Sequence, residues 1–195
     1  MNEIGQRRAS GIRSREAFIA TTGRLLRRQG YSGTGLSEIV AASGAPKGSL
    51  YFHFPGGKEE LAAVAMARAG DELRGAIVAI LSSHDALGDA LCALLDALAA
   101  GLEASDYADG CPIATVALEA ATRSESVRVV AADAFDSWVS ALRERMLAGG
   151  MARETADRRA LLVLAAVEGA LILARARRDL VPLRAVREEL LELAG

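Results

Sequence analysis

Breaks rich in glycine, proline and serine divide the chain into segments that have the composition and periodicity of helices. After Ser14, a plausible helix cap, Phe18, Leu25 and Leu26 recur on one helix face, and Gly30 supplies a stop. The good helix formers alanine, leucine, arginine and glutamate dominate the rest, and alternating runs of β-branched residues are absent. The sequence therefore predicts an all-α protein of about nine helices, three short ones followed by six longer ones.

The predicted helices are separated by short breaks rather than by a linker. They cover approximately residues 14–30, 37–42, 47–53, 58–82, 85–104, 111–122, 124–147, 152–178 and 182 onward. We expect an N-terminal three-helix domain over residues 1–57 and a larger helical domain over residues 58–195, with the helix after Lys58 shared between the two parts.

Charge is distributed unevenly along the chain. The formal net charge is −2, but residues 1–58 contain nine basic and three acidic side chains, and the remainder contains an excess of eight acidic ones. Such asymmetry is typical of a basic module that meets a polyanion, attached to a body that does not. The alternative is a basic face that is merely solvated.

Two short predicted helices flank the turn Ser43-Gly44-Ala45-Pro46, which is the arrangement of a helix-turn-helix motif. The second helix of such a motif enters the major groove of DNA. Lys47 suits contact with a phosphate or a guanine edge, and Phe52 suits contact with a thymine methyl. The predicted DNA-binding residues are Ser37, Lys47, Gly48, Ser49, Tyr51, Phe52, His53 and Lys58. The alternative is a short amphipathic connector with core aromatics.

Other side chains have predicted supporting roles in this region. Leu50 and Phe54 are expected to point inward and to hold the second helix on Phe18 and Leu25. Lys58 follows Gly57 at the start of the fourth helix, where free backbone N–H groups and the lysine could hold a phosphate.

Residues 14–61 resemble the DNA-binding domain of TetR/AcrR transcriptional repressors. The resemblance is carried by Gly30-Tyr31, by Leu36-Ser37-Glu38-Ile39-Val40, by the run from Gly44 to Phe54 and by Lys58-Glu59-Glu60-Leu61. Three positions depart from the usual pattern. Pro46 stands where many relatives have serine as a helix cap, and Gly56-Gly57 stands where most relatives have one residue. Gly35 stands where relatives often have serine or threonine, so the sequence does not show whether the second helix is capped.

The Gly56-Gly57 pair and the stretch Gly110-Cys111-Pro112-Ile113-Ala114, followed by Leu118-Glu119-Ala120, are similar to the LmrA/YxaF-like branch. The resemblance implies an all-α homodimer with a small-molecule pocket in the larger domain. It also implies that the bound effector moves the fourth helix and separates the two DNA-binding domains. The association of this branch with drug-efflux or flavonoid-responsive control favours a flat aromatic effector.

Pocket candidates are aromatic or polar residues on otherwise apolar faces. Trp138 is the only tryptophan, and it could stack a flat ligand or pack in the core with its N–H satisfied. Ile113 could equally be core, and Glu119 could be a capped or solvated carboxylate. The candidate ligand-binding residues are Leu91, Leu95, Ile113, Glu119, Phe135, Trp138 and Glu168.

Glu168 interrupts the apolar run Leu161–Ala174, and a buried lone carboxylate is costly. It is open whether Glu168 belongs to the pocket, to an interface where it meets an arginine, or to the surface. The helix that contains it is too apolar all round for a surface helix. By resemblance, it forms a two-fold dimer interface with the last helix, and the candidate interface residues are Leu161, Leu164, Ala165, Leu171, Ile172 and Leu190.

The sequence argues against several other classes of protein. His53 and His84 are the only histidines, and no cluster of His, Cys and Asp has catalytic or metal-ligand spacing, so neither an enzyme nor a cofactor is expected. Cys92 and Cys111 are interpreted as reduced thiols, and no apolar run is long enough for a membrane span. We expect a cytoplasmic, dimeric, effector-responsive repressor that binds an operator in double-stranded DNA. The alternatives are an activator or a helical DNA-binding protein without an effector.

Overall fold

The computed structural model describes the backbone of residues 3–194 and the side chains of residues 11–192. The prediction of an all-α fold is confirmed, because the described residues form helices and no strand. Residues 3–194 form nine helices: α1 (Glu3–Gly33), α2 (Leu36–Ser43), α3 (Lys47–His53), α4 (Gly57–Ser82), α5 (Leu87–Ala104), α6 (Pro112–Ala120), α7 (Glu125–Ala148), α8 (Arg153–Arg177) and α9 (Val181–Ala194).

Helix α1 differs from its prediction at its start. It begins at Glu3 and not after Ser14, because the residues between them include no proline, and Gly5 and Gly11 lower helix stability without ending the helix. Its predicted stop is confirmed: Gly30 has φ 73° and ψ −174°, a conformation outside the helix that glycine adopts without a Cβ penalty. Residues 31–33 form a short helical turn after this kink.

The start of α7 agrees with the helix predicted over residues 124–147, and Ser124 caps it. The Ser124 hydroxyl oxygen accepts a hydrogen bond from the backbone N–H of Val127 at 3.2 Å, which satisfies one of the free donors at the helix start. Helix α6 ends at Ala120, about two residues before its predicted end. The Ala120 carbonyl accepts from the backbone N–H groups of Arg123 and Ser124 in the turn that follows.

The chain divides into two compact units. Unit 1 contains the residues up to Ala69 together with Pro112–Ala131, and unit 2 contains Gly70–Cys111 and the residues from Ala132 onward. Each unit has its own buried apolar core. The largest buried side chains of unit 1 include Phe18, Leu26, Ile39, Leu50, Phe54, Leu61, Ile113 and Val116, and those of unit 2 include Leu95, Trp138 and Val163. Within the described part of the chain, no helix is both long and apolar enough to cross a membrane.

Candidate nucleic-acid interface

The turn between α2 and α3 is set by two residues with special backbone properties. Gly44 ends α2 in the left-handed conformation, with φ 65°, where a side chain would be strained. Pro46 precedes the first residue of α3 with φ −61° and ψ 131°, the extended geometry expected of an N-cap. Neither Gly35 nor Pro46 provides a side-chain cap, so α2 and α3 begin without one.

Helix α3 is anchored by two buried side chains, as predicted. Leu50 and Phe54 are almost fully buried. The Phe54 ring meets the Phe18 ring edge to face, with centroids 6.4 Å apart and planes at 85°. This packing fixes the rotation of α3 about its own axis, and it therefore determines which α3 residues face outward.

The outward face of α3 combines a cation, a bare backbone position and two aromatic rings. Lys47 and Gly48 are exposed, and Tyr51 and Phe52 are among the exposed large side chains, with Phe52 at 80%. His53 is half-buried behind Phe52, with ring centroids 5.1 Å apart. Ser37 on α2 is also exposed. An exposed phenylalanine and an exposed lysine on the same short helix suit contact with a base-pair edge and with a phosphate, respectively.

Ser49 already has a partner for its hydroxyl proton. Its Oγ donates to the Pro46 carbonyl at 2.7 Å, and its backbone N–H reaches the same oxygen at 2.9 Å. In this state Ser49 retains only its acceptor capacity, so it cannot also donate to a phosphate oxygen.

Lys58 lies over an aromatic ring rather than in open solvent. Its Nζ is 4.2 Å from the centroid of Tyr31, a cation–π contact. Burial lowers the pKa of the Lys58 ammonium, and the nearby Glu119 carboxylate acts in the opposite direction. Phosphate binding by Lys58 stays a prediction.

Glu119, a candidate ligand-binding residue from sequence, lies within unit 1 beside the kink of α1. Its Oε2 accepts a hydrogen bond from the backbone N–H of Ser32 at 2.7 Å. A Cβ added to Gly30 would lie 1.9 Å from the other carboxylate oxygen. The side chain therefore caps the turn after Gly30, close to the helix-turn-helix motif.

A second carboxylate joins distant segments of unit 1, and sequence reasoning missed it. Glu59 Oε1 accepts hydrogen bonds from the hydroxyls of Ser124 at 2.6 Å and Ser126 at 2.9 Å. These two bonds lower the pKa of the Glu59 carboxyl. Only the S-x-S pattern around the α7 cap hinted at a partner, and nothing local identified it as Glu59.

The aromatic pair of α7 belongs to the core of unit 2. Trp138 is buried and its indole N–H donates to the Gly70 carbonyl at 3.0 Å. Phe135 is half-buried and meets Trp138 edge to face at 5.5 Å. Leu91 and Leu95 on α5 are also buried. This is the core arrangement that the sequence left open for Trp138.

Glu168 on α8 has one carboxylate oxygen, Oε2, that is buried and has no hydrogen-bond partner. Burial raises the pKa of the Glu168 carboxyl, and a hydrogen bond with Cys111 lowers it by a smaller amount. No group of His, Cys, Asp and Glu able to hold a metal ion occurs among the residues whose side chains are described.

The candidate interface residues of α8 and α9 fall into two groups. Leu161, Ala165 and Ile172 are exposed, and Leu164 is half-buried. Leu171 and Leu190, in contrast, are buried within the chain itself. The exposed group is accessible to a partner, and the buried group holds the helices in place.

Comparisons with known proteins match both parts of the chain to transcriptional regulators. Residues 18–65 match the model of bacterial regulatory proteins of the tetR family, and residues 88–189 match the C-terminal domain of LmrA/YxaF-like transcriptional regulators. Both matches are to transcriptional regulators and not to enzymes.

Individual relatives match over most of their length. The chain is 35% identical to an uncharacterized HTH-type transcriptional regulator of Mycobacterium tuberculosis, with 92% of this chain and 93% of that protein covered. It is 34% identical to the HTH-type transcriptional regulator LmrA of Bacillus subtilis, with 87% and 90% covered. The crystal structure of a TetR transcriptional regulator from Chloroflexus aurantiacus is similar with a TM-score of 0.78 and 31% identity, with 93% and 94% covered. The chain therefore belongs to the TetR family of bacterial helix-turn-helix transcriptional regulators, in its LmrA/YxaF-like branch.

Proposed function

We propose that this regulator is a homodimeric repressor that leaves a pseudo-palindromic operator when it binds a small hydrophobic or aromatic effector. The site of action would be the cytoplasm, where the chromosomal operator lies. The observation that carries the dimeric part is the exposed apolar face of α8.

The apolar face of α8 is defined here as Leu161, Leu162, Ala165, Ile172 and Leu173. Leu161 is 61% and Ile172 51% exposed, although seven residues of the same helix are buried on its other side. A contiguous exposed patch of aliphatic side chains is typical of a protein interface. A second copy is the occupant that fits, because a two-fold axis brings one patch onto its equal.

Dimerisation would set the form of the operator. Two copies of α3 would enter successive major grooves about 34–36 Å apart, one turn of DNA. The two half-sites would then be inverted repeats. A dimer on such a site near a promoter would exclude polymerase, which is the basis for proposing repression.

Sedimentation velocity tests the dimer. We expect the wild-type chain to sediment as a dimer and Leu161→Asp/Ile172→Asp as a folded monomer. Leu118→Asp is the matched control, because Leu118 on α6 is 77% exposed and outside the apolar face of α8. A monomeric wild type, or a double variant that remains dimeric, contradicts the proposal.

The effector part of the proposal rests on Glu168. A buried carboxylate oxygen without a partner is costly, and an effector with a hydrogen-bond donor would satisfy it. An almost complete switch from the bound to the released state needs an effector preference of about 10⁴ for the released state. The packed Trp138 instead favours the alternative of a helical DNA-binding protein without an effector.

A series of experiments distinguishes a repressor, an activator and a DNA-binding protein without an effector. Genomic fragments captured by the wild-type chain are sequenced, and the recovered operator is placed before a reporter gene. A repressor lowers reporter output, and an activator raises it.

Flat aromatic compounds are then added to the chain–operator complex. Release by at least one of them supports an effector, and weaker release from the Glu168→Gln variant supports the assigned residue. If none of them releases the operator, the effector-free alternative is favoured.

A further inference from the structure

The start of α4 lies beside the outward face of α3. Helix α4 begins at Gly57, which has φ 66°. A Cβ built on Gly57 would lie 3.8 Å from Tyr51 Cε1, in ordinary van der Waals contact. Tyr51 is one of the exposed side chains of α3. The next residue of α4, Lys58, therefore starts from a backbone position close to the surface at which operator DNA would bind.

The Lys58 side chain is held in one place before any DNA is present. A lysine ammonium ends a flexible four-carbon side chain, and ordering such a side chain at the moment of binding weakens affinity. The Lys58 Nζ lies 4.2 Å from the ring centroid of Tyr31. This distance is well within the roughly 6 Å range of a cation–π contact. The ring face therefore restricts the ammonium in the free chain.

The Tyr31 ring is attached to a turn that hydrogen bonds hold on both sides. The backbone N–H of Ser32 donates to Glu119 Oε2 at 2.7 Å, and the hydroxyl of Thr34 donates to the Gly30 carbonyl at 2.7 Å. Thr34 is fully buried, and its backbone N–H donates to the Tyr31 carbonyl at 3.3 Å. The backbone before and after Tyr31 is therefore fixed, and the half-buried ring is a stable support for a cation.

We propose that Tyr31 is a positioning residue for operator binding: its ring holds the Lys58 ammonium at the start of α4, where the ammonium meets a phosphate of the DNA backbone. In this role the ring acts through Lys58 and not by touching DNA. The negative face of the ring attracts the cation without a hydrogen bond that a phosphate would have to replace. The inference rests on the operator binding proposed above and on phosphate contact by Lys58.

The affinity of Tyr31 variants for the operator duplex captured by the wild-type chain tests the proposal. Tyr31→Leu removes the ring face and keeps an apolar side chain, whereas Tyr31→Phe keeps the face. Pentafluorophenylalanine at position 31, introduced by nonsense suppression, keeps the shape of the ring but reverses its charge distribution, so it no longer attracts a cation. Each change is made in the wild-type and in the Lys58→Met background. Tyr107→Leu is the matched control, because it changes another half-buried tyrosine, in unit 2.

We expect Lys58→Met to lower the slope of log affinity against log salt by about one per bound chain. Tyr31→Leu and the pentafluorinated ring should each weaken operator binding roughly 2- to 10-fold per bound chain, because a free lysine side chain must then be ordered. Tyr31→Phe and Tyr107→Leu should keep the wild-type affinity. In the Lys58→Met background the changes at Tyr31 should have no further effect, because no ammonium remains to be positioned. Circular dichroism checks folding, and the pentafluorinated ring gives the same comparison if Tyr31→Leu does not fold.

Four results would overturn the inference. An unchanged salt slope for Lys58→Met would show that Lys58 makes no phosphate contact. Unchanged or tighter binding with the pentafluorinated ring would show that the ring does not help Lys58, or that it withholds Lys58 from DNA. Equal losses in both Lys58 backgrounds would mean that Tyr31 acts on the fold. An equal loss in Tyr31→Phe would assign the effect to the hydroxyl.

Failure of the proposed function gives a different result. All four comparisons use a duplex that the wild-type chain binds specifically. If the wild-type chain captures no specific duplex, operator binding itself is wrong and the role of Tyr31 falls with it.

Discussion

The Glu119 carboxylate caps the backbone of Ser32, 87 residues away in sequence, with a 2.7 Å hydrogen bond. The bond joins the last turn of α6 to the short turn after the α1 kink, inside unit 1. It depends on Gly30, because a Cβ at this position would occupy the space of the carboxylate. The conformation of Gly30 and the position of Glu119 are therefore coupled.

Gly30→Ala is expected to destabilise the chain by about 2–4 kcal/mol. A non-glycine residue at φ 73° and ψ −174° costs about 1–3 kcal/mol, and displacement of the Glu119 carboxylate loses a hydrogen bond of about 1 kcal/mol. Urea unfolding followed by circular dichroism measures the loss.

A double-mutant cycle with Glu119→Ala isolates the coupling. In the Glu119→Ala background, Gly30→Ala should cost about 1 kcal/mol less, because no carboxylate remains to be displaced. Strictly additive losses would show that the two residues do not interact in solution.

Gly48→Ala should change stability and DNA affinity in opposite directions. Gly48 lies in the first turn of α3 with no atom within 4 Å of an added Cβ, so alanine should stabilise the helix by up to about 1 kcal/mol. The same Cβ would hold α3 away from the DNA backbone and weaken operator binding on the order of tenfold, about 1.4 kcal/mol. Thermal unfolding and fluorescence anisotropy measure the two effects.

Gly75→Ala is the matched control for this variant. Gly75 is an exposed position of α4 that also has free space around an added Cβ, and it lies outside the outward face of α3. It should gain stability and keep its operator affinity. If Gly48→Ala also keeps the wild-type affinity, close approach of the backbone at Gly48 is not needed.

The sequence predicted α3 better than it predicted the contacts of unit 1, and the difference has a physical basis. The limits of α3 depend on neighbouring residues, since Pro46 fixes its start and the spacing of Leu50 and Phe54 fixes its buried side. The predicted start of α1 was wrong. Ser14 has the residue type of a helix cap, but a serine caps a helix only where the residues before it are not helical.

Long-range hydrogen bonds have no such local signature. Glu59 bonds Ser124 across 65 positions of the chain, and Glu119 bonds Ser32 across 87. From sequence, each carboxylate could equally have been solvated or part of a pocket, because only the tertiary fold decides which donors it meets. The same holds for Trp138, whose partner is a backbone carbonyl that any residue could have supplied.

Trp138→Phe should destabilise the chain by about 1–3 kcal/mol. Phenylalanine fills part of the space but leaves the Gly70 carbonyl without the indole N–H that it accepts from at 3.0 Å. Unfolding must be followed by circular dichroism, because the variant has no tryptophan.

Phe135→Leu is the control, because it changes a half-buried residue and keeps the Trp138 hydrogen bond. It should destabilise the chain by less than Trp138→Phe. An equal or larger cost for Phe135→Leu would mean that packing, and not the hydrogen bond, dominates this site.

Glu168→Gln should stabilise the chain, and by more at neutral pH than at acid pH. Burial raises the pKa of the Glu168 carboxyl above its ordinary value of 4.5, so the folded state holds this proton more tightly than the unfolded state does. The contribution of Glu168 to stability is therefore fully present below pH 4.5 and is lost as the pH rises through the folded-state pKa. Glutamine is neutral at every pH and avoids this loss.

The stability difference between the variant and the wild type, measured by urea unfolding, should grow from pH 4.5 to pH 7.5. The control Glu154→Gln changes an exposed carboxylate of the same helix, and the growth for Glu168→Gln should exceed any change that this control shows. A difference that stays constant with pH for Glu168→Gln would mean that Glu168 keeps its charge in the folded chain, held by a partner such as an arginine of a second copy.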